Sequence, residues 1–352
     1  MKSVSVVGTV GLPACYGGFE SLVENLVRYR SKDVQYQVFC SKMAYKERPD
    51  SLDGVKLTYI PLNANGPQSI PYDILSLLLC LKSKPDVVLI LGVSGCLFLP
   101  IFKLFSKSKV ITNIDGLEWK RDKWGKWARK FLKWSESLAV KYSDIVVADN
   151  QAIGDYVTQE YGTENKIIAY GGDHALRDVR VASINEDYAL GLCRIEPENN
   201  VELILEAFSK TKRQLKFVGN WNNSEFGKRL KSTYGNYENI ELLDPVYDLD
   251  KLYQIRRSSS IYIHGHSAGG TNPSLVEMMH FGIPIVAFDC NFNRYSTEDK
   301  AIYFSDVENL VSVVEQPTNL QLTTSGDSMK EIAKRKYTWE NITSDYEKIY
   351  FD

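Results

Sequence analysis

Histidine and cysteine are scarce in this chain of 352 residues, with four of the first and six of the second. His174, His264, His266 and His280 fall in no recognised metal-ligand spacing, so neither a structural metal nor a metal cofactor is expected. No two cysteines form a CxxC pair. Cys15, Cys40, Cys80, Cys96, Cys193 and Cys290 therefore read as buried, reduced thiols of a cytoplasmic protein, not as a disulfide scaffold. A net charge of −2 lacks the basic excess that nucleic acid demands, which argues against such a partner. Long apolar runs are missing as well. The uncharged stretch from Val87 to Phe102 is broken by Gly92, Ser94, Gly95 and Pro100. It falls short of the ~20 residues that a membrane-spanning helix needs, so a buried strand, a turn and an apolar helix are expected there. The opening MKSVSVVG reads as a first strand and not as a signal peptide. No internal repeat and no low-complexity tract is found.

What the chain does contain is an alternation of short apolar runs with helical segments. SVSVVGT, YQVFC, KLTYI, DVVLIL, KVITNI, DIVVAD and KIIAY precede residue 171, and YALGLCR, LKFVGN, IELLD, SIYIHG and IPIVAFD follow residue 187. Such a pattern predicts two parallel α/β sheets covered by helices, two Rossmann-like domains in all. The expected division is 1–170, a linker at 171–187, a second domain at 188–335 and a closing segment at 336–352. Ligands of such sheets bind at the carboxyl ends of the strands, which directs attention to the loops there.

Two of those loops are rich in glycine. In SAGGTNPSLVEMMHFGIPIVAFD, Asn272 is a good N-cap, Pro273 suits the first helical position, and Gly282 with Pro284 marks the end. A helix of about nine residues is expected, with Leu275, Met278 and Met279 toward the core. Glu277 projects elsewhere, toward the mouth. Backbone amides of Gly269, Gly270 and Thr271 can approach an anion closely, and a carboxylate beside them makes sense if it accepts sugar hydroxyls. Phosphate plus sugar points to a nucleotide; an ordinary capped helix with a surface glutamate is the competing reading. In GTVGLPACYGGFESLVENLVRY, the stripe of Phe19, Leu22, Val23, Leu26 and Val27 starts a helix near Gly18. Gly8 and Gly11 do not complete a GxGxxG fingerprint, which argues against a dinucleotide dehydrogenase. The Gly17–Gly18 pair still suits close approach of a phosphate or a sugar.

A third stretch, WKRDKWGKWARKFLKWSESLAVKY, sets Trp124, Trp127, Phe131 and Trp134 near one helical face among eight Lys or Arg, for a local net charge of +6 over residues 119–141. Aromatics on one side of a basic helix favour an anionic membrane interface, with Trp124, Trp127, Lys130 and Trp134 as the contact residues. A core helix with a solvated basic face is the alternative. The expected localisation is cytoplasmic and peripheral on the inner face of the plasma membrane.

Nearly the whole chain resembles the family 4 glycosyltransferases. The resemblance rests on GLCRIEPENNVELILEAF, VGNWNNSEFGKRL, the SAGGTNPSLVEMMHFGIPIVAFD loop and the closing YTWENITSDYEKIY. GLPACYGGFE and NIDGLEWKRDKW narrow it toward bacterial rhamnosyltransferases that build capsule or cell-wall polysaccharides. The resemblance implies the GT-B fold, two Rossmann-like domains facing each other across a cleft, with a C-terminal helix crossing back to the first domain. It implies a retaining transfer of rhamnose from dTDP-rhamnose to a sugar on an undecaprenyl-diphosphate carrier, without a metal. Asp115, Arg194 and Glu277 would then carry the chemistry. Gly18, Arg194, Gly269, Gly270, Thr271, Asn272 and Glu277 would bind the donor, and Tyr16, Gly17, Glu20 and Asp115 would lie on the acceptor side. The chain departs from the family pattern twice: Gly269 stands where a second Glu is common, and Asn199 where a Lys is common. Alternatives are a UDP- or GDP-sugar transferase, a sugar-nucleotide epimerase, or a non-catalytic membrane-associated subunit.

Overall fold

The computed structural model describes residues 1–15, 17–114, 116–117, 119, 125–179, 186–315 and 319–352. The chain divides into two compact units, Met1–Ala169 with Trp339–Asp352, and Tyr170–Thr338.

The first unit is built on β1 (Lys2–Val7), β2 (Val34–Ser41), β3 (Ser51–Leu52), β4 (Val55–Ile60), β5 (Val87–Leu91), β6 (Lys109–Ile114), β7 (Ile145–Ala148) and β8 (Lys166–Ile167). Their order in the sheet is β3-β4-β2-β1-β5-β6-β7-β8, parallel except for the short β3–β4 pair. Helices α1 (Gly18–Arg28), α2 (Ser69–Ser83), α3 (Leu99–Phe105), α4 (Lys126–Tyr142) and α5 (Gln151–Tyr161) make the connections. Runs such as VVLIL in β5 are buried along their whole length, as a strand covered on both faces requires. The uncharged stretch that begins at Val87 resolves into β5, a 3-10 turn at Cys96–Phe98 and α3.

The second unit contains β9 (Tyr188–Leu192), β10 (Gln214–Val218), β11 (Ile240–Leu243), β12 (Ile261–His264), β13 (Ile285–Phe288) and β14 (Ile302–Phe304) in the order β11-β10-β9-β12-β13-β14, all parallel. Between and after them run α6 (Val201–Ser209), α7 (Glu225–Tyr234), α8 (Leu249–Ser258), α9 (Pro273–Met279), α10 (Asn291–Thr297), α11 (Val307–Glu315) and α12 (Asn319–Lys336). Its core gathers Leu205, Phe208, Phe217, Trp221 and Phe304. Trp221 pays for its burial by donating Nε1–H to the Leu243 carbonyl at 2.9 Å.

The last helix, α13 (Trp339–Phe351), belongs to the first unit, as the expected C-terminal crossing requires. It buries Trp339, Ile342, Tyr346 and Tyr350. Asn113 Nδ2 donates to the Tyr346 hydroxyl at 2.7 Å, and Lys109 Nζ to the Ile349 carbonyl at 2.9 Å. A buried aromatic stripe with its polar tips satisfied holds the chain end in place.

Three expectations need correction. Cys15 is exposed, and Cys193 and Cys290 are half-buried. The segment KIIAY contributes only the two-residue β8. Helix α9 has seven residues, not nine, because the amides of His280, Phe281 and Gly282 turn back to the carbonyls three residues earlier and tighten the end.

Candidate functional site

In the second unit the chain order reverses between β9 and β12, which pair directly. The loops leaving these two strands are stitched together. Asn200 Nδ2 donates to the Gly265 carbonyl at 2.8 Å, and Ser267 donates its amide and its hydroxyl to the Glu198 carbonyl, each at 2.9 Å. A Cβ on Gly265 would stand 2.1 Å from the Asn199 carbonyl oxygen, so only glycine permits the approach. Arg194, just beyond β9, keeps its side chain 46% exposed with one long contact, 3.6 Å to Glu196. It is an accessible cation at this switch point.

Gly269, Gly270, Thr271 and Asn272 lead from β12 into α9. Gly269 has φ +137, a region that favours glycine, and a Cβ there would come within 2.8 Å of His266 Nε2. Asn272 caps α9 as predicted: its Oδ1 accepts from the Ser274 amide at 3.0 Å and from the Ser274 hydroxyl at 2.8 Å. Leu275, Met278 and Met279 are buried, as their spacing predicts.

Glu277 is not alone. Its Oε2 pairs with the guanidinium of Arg256 on α8, and its Oε1 lies 3.3 Å from His174 Nε2. The Arg256 and Glu277 side chains are 8% and 14% exposed. Burial by itself would raise the Glu277 carboxyl, but Arg256, and then His174, outweigh it and hold the group below its ordinary value. The carboxylate is thus ionised, already compensated, and still has lone pairs for a hydroxyl donor. His174 reaches it because the turn at Asp173–Ala175 packs on α9; a Cβ on Gly172 would stand 2.6 Å from the Val276 carbonyl. Neither Arg256 nor His174 carries a motif, so spacing in the sequence could not find them.

The two departures from the family pattern meet at one residue. Asn199 Oδ1 lies 2.7 Å from His266 Nδ1, while Asn199 Nδ2 donates to the Arg194 carbonyl at 2.8 Å. The His266 ring also fronts Gly269. Asn199 therefore braces the Arg194 loop, and His266 fills the volume that a longer residue 269 would claim.

In the first unit, Gly17 has φ +109 and α1 starts at Gly18. Glu20 is 6% exposed and turns back on its own loop: Oε1 accepts from the Val10 amide at 2.8 Å and from the Thr9 hydroxyl at 3.1 Å. That oxygen braces the loop. A Cβ on Gly17 would stand 2.4 Å from Glu20 Oε2, which accounts for glycine at that position. Tyr16, Asp115 and Trp124 lie outside the described residues. On α4, Trp127 is 84% and Trp134 54% exposed, with Lys130 5.6 Å from the Trp127 ring. Phe131 packs against the core instead. Among the described residues, no helix is long and apolar enough to cross a membrane, and no group of three His, Cys, Asp or Glu is placed to hold a metal.

Two imidazoles of the second unit give it a pH dependence. Burial lowers His264 well below its ordinary value, helped by His266 nearby; burial also lowers His280, partly offset by the Tyr337 carbonyl 2.9 Å from its Nε2. Unfolded, both take up a proton near pH 6.5; folded, they resist it. The unfolded chain therefore binds more protons in that window, and stability present above it is lost as pH falls. The melting temperature is expected to drop between pH 7.5 and 5.5, and less so in His264→Phe. A flat profile in the wild type would remove this account.

Comparison with known proteins follows the division of the chain. Residues 1–173 match the family described as a domain of unknown function (DUF1972), and residues 176–334 match glycosyl transferases group 1. No curated protein matches. Sucrose-phosphate synthase from Thermosynechococcus elongatus superposes with a TM-score of 0.80 at 12% identity, over 99% of this chain and 98% of that one. Anabaena Alr3699/HepE, solved in complex with UDP-glucose, gives a TM-score of 0.74 at 13% identity, over 99% of each chain. OtsA in its apo form gives 0.72 at 9%, over 100% of this chain and 99% of that one. At such identities these likenesses speak for the fold, which is GT-B. The second unit, which holds Arg194 and Glu277, carries the match to glycosyl transferases group 1, on a chain whose fold is GT-B.

Proposed function

We propose that the chain is a retaining rhamnosyltransferase that moves rhamnose from dTDP-rhamnose to a sugar carried on undecaprenyl diphosphate, in capsule or cell-wall polysaccharide biosynthesis. The observation that carries the donor half is the ion-paired Glu277 beside a glycine loop and the accessible Arg194 at one switch point. The bond from the sugar's anomeric carbon to the β-phosphate oxygen breaks with its electron pair on that oxygen, the acceptor hydroxyl oxygen bonds to the same carbon, and the hydroxyl proton passes to the departing phosphate. Arg194 and the amides of Gly269, Gly270 and Thr271 stabilise that charge, so no metal is invoked. Glu277 and Asn272 hold the nucleoside end, Glu277 by accepting ribose hydroxyls. Gly17, Gly18 and the Thr9–Glu20 brace shape the loop on the acceptor unit, and Asp115 and Tyr16 belong to that side. Gly269 in place of Glu removes a partner for a donor hydroxyl, which favours a deoxy sugar. The acceptor's lipid places the enzyme on the inner face of the plasma membrane.

A second reading, a UDP-sugar donor, is favoured by the complex of Anabaena Alr3699/HepE with UDP-glucose. The test is nucleotide release in the presence of a chelator and a short-chain lipid-diphosphate-sugar acceptor, with dTDP-rhamnose, UDP-glucose, UDP-N-acetylglucosamine and GDP-mannose in parallel. Acceptor-dependent release of dTDP, with a product heavier by one deoxyhexose, is expected. Release of UDP instead would overturn the rhamnose assignment and keep the site.

A further inference from the structure

Helices α2, α3 and α4 connect β4 to β5, β5 to β6, and β6 to β7, each stepping across the sheet in one direction. Right-handed crossovers of one direction lie on one face of the sheet, while α1, which steps the other way, lies with α13 on the opposite face. Helix α5, from β7 to β8, steps the same way and borders α4; the other three helices of that face share an unusual property. Each buries one apolar stripe in the core and turns a second apolar stripe outward. On α2 the outward residues are Leu75, Leu78 and Leu79; on α3 they are Ile101, Leu104 and Phe105; on α4 they are Trp127 and Trp134. The positions run i, i+3, i+4 on α2 and α3, and i, i+7 on α4, so each set lies along one side of its helix. Leu104 and Phe105 are 78% and 75% exposed. A surface helix normally turns its polar side outward, and contiguous exposed apolar patches mark interaction sites.

Exposed charge on α2, α3 and α4 has one sign. The only carboxylates in the three helices, Asp73 and Glu136, are both buried. Burial pushes the Asp73 carboxyl well above its ordinary value, against the lowering pull of the Gly95 backbone. Glu136 accepts from Tyr156 and Tyr161, each at 2.6 Å, and from Trp119 at 3.1 Å. Lys82, Lys126, Lys130 and Lys141 are exposed. Lys103 answers Asp144 at 2.7 Å on the rim, and Lys133 answers Glu160 of α5 at 2.9 Å, where the patch ends.

We infer that the outer face of α2, α3 and α4 is a docking surface for an anionic lipid bilayer, with α2 and α3 supplying apolar area that α4 alone lacks. A second copy of the chain is a poor occupant, since a two-fold contact would set lysines against lysines. A bilayer answers both features: acyl chains take the leucines and aromatics, and anionic headgroups take the lysines. The inference shares with the proposed function only the expectation of a lipid-borne acceptor, and its test involves no sugar transfer.

The test is flotation of the whole chain with phosphatidylglycerol vesicles and with phosphatidylcholine vesicles. The wild type is expected to float with the anionic vesicles, less so at high salt, and weakly with the neutral ones. Leu104→Ser/Phe105→Ser is expected to lower the bound fraction at least about tenfold, as is Trp127→Ser/Trp134→Ser, with melting temperatures unchanged because all four side chains are exposed. Wild-type flotation of the α3 variant would overturn the part assigned to α2 and α3. Equal binding to neutral vesicles would overturn the charge argument. A dimer in sedimentation that the same variants dissociate would replace the bilayer by a second copy.

Discussion

Arg256→Met is expected to lower the melting temperature by roughly 10 °C, since removing one partner of a buried ion pair costs about 3–5 kcal/mol. The geometry makes the reason specific. Arg256 and Glu277 are both largely out of water, and His174, 31% exposed, is the weaker partner of the carboxylate. Without the guanidinium, burial dominates at Glu277 and its carboxyl moves upward toward protonation. Donor binding should weaken with it. The double variant Arg256→Met/Glu277→Gln should recover part of the stability, because the stranded charge is gone, yet none of the donor binding. Thermal melting of the two variants checks the first half, and nucleotide-dependent shifts in melting check the second. If Arg256→Met melts with the wild type, Glu277 is held by something other than this pair.

Arg194→Ala should behave in the opposite way. Its side chain is half exposed and its one ion pair is long, so stability is expected to stay within ~0.5 kcal/mol of the wild type. Turnover should fall at least tenfold, or ~1.4 kcal/mol of transition-state stabilisation, because the guanidinium acts on charge that appears only as the nucleotide leaves. The sharpest reading is a fall in kcat with KM little changed. Wild-type turnover in Arg194→Ala would move leaving-group stabilisation to the loop amides, whereas a large fall in melting temperature would show the arginine to be a structural group. Two arginines of one unit are thus distinguished by which measurement each one moves.

Much of this was legible from local chemistry. The start of α1 at Gly18, the Asn272 cap, the core face of α9 and the alternation that makes two parallel sheets all follow from rules acting within one turn or one strand, whereas the return of the C-terminal helix was implied only by the family resemblance. The Gly269 departure was also visible as a residue type. Its cause was not, because His266 reaches that space from a bend in the loop and is held there by Asn199, 67 residues away.

Pairings of that length are where the sequence falls silent. Glu277 was readable as a carboxylate near a phosphate cradle, but its compensation by Arg256 from α8 and His174 from a turn on α9 depends on packing between elements. Glu20 has the composition of a binding residue, and one of its oxygens, Oε1, is taken by its own loop. The leucines of α2 and the aromatics of α3 and α4 look the same in the sequence whether they face core or solvent, since each helix is apolar on two sides. Periodicity determines which residues share a side of a helix; only the sheet each helix packs on decides which of two apolar sides is turned to water.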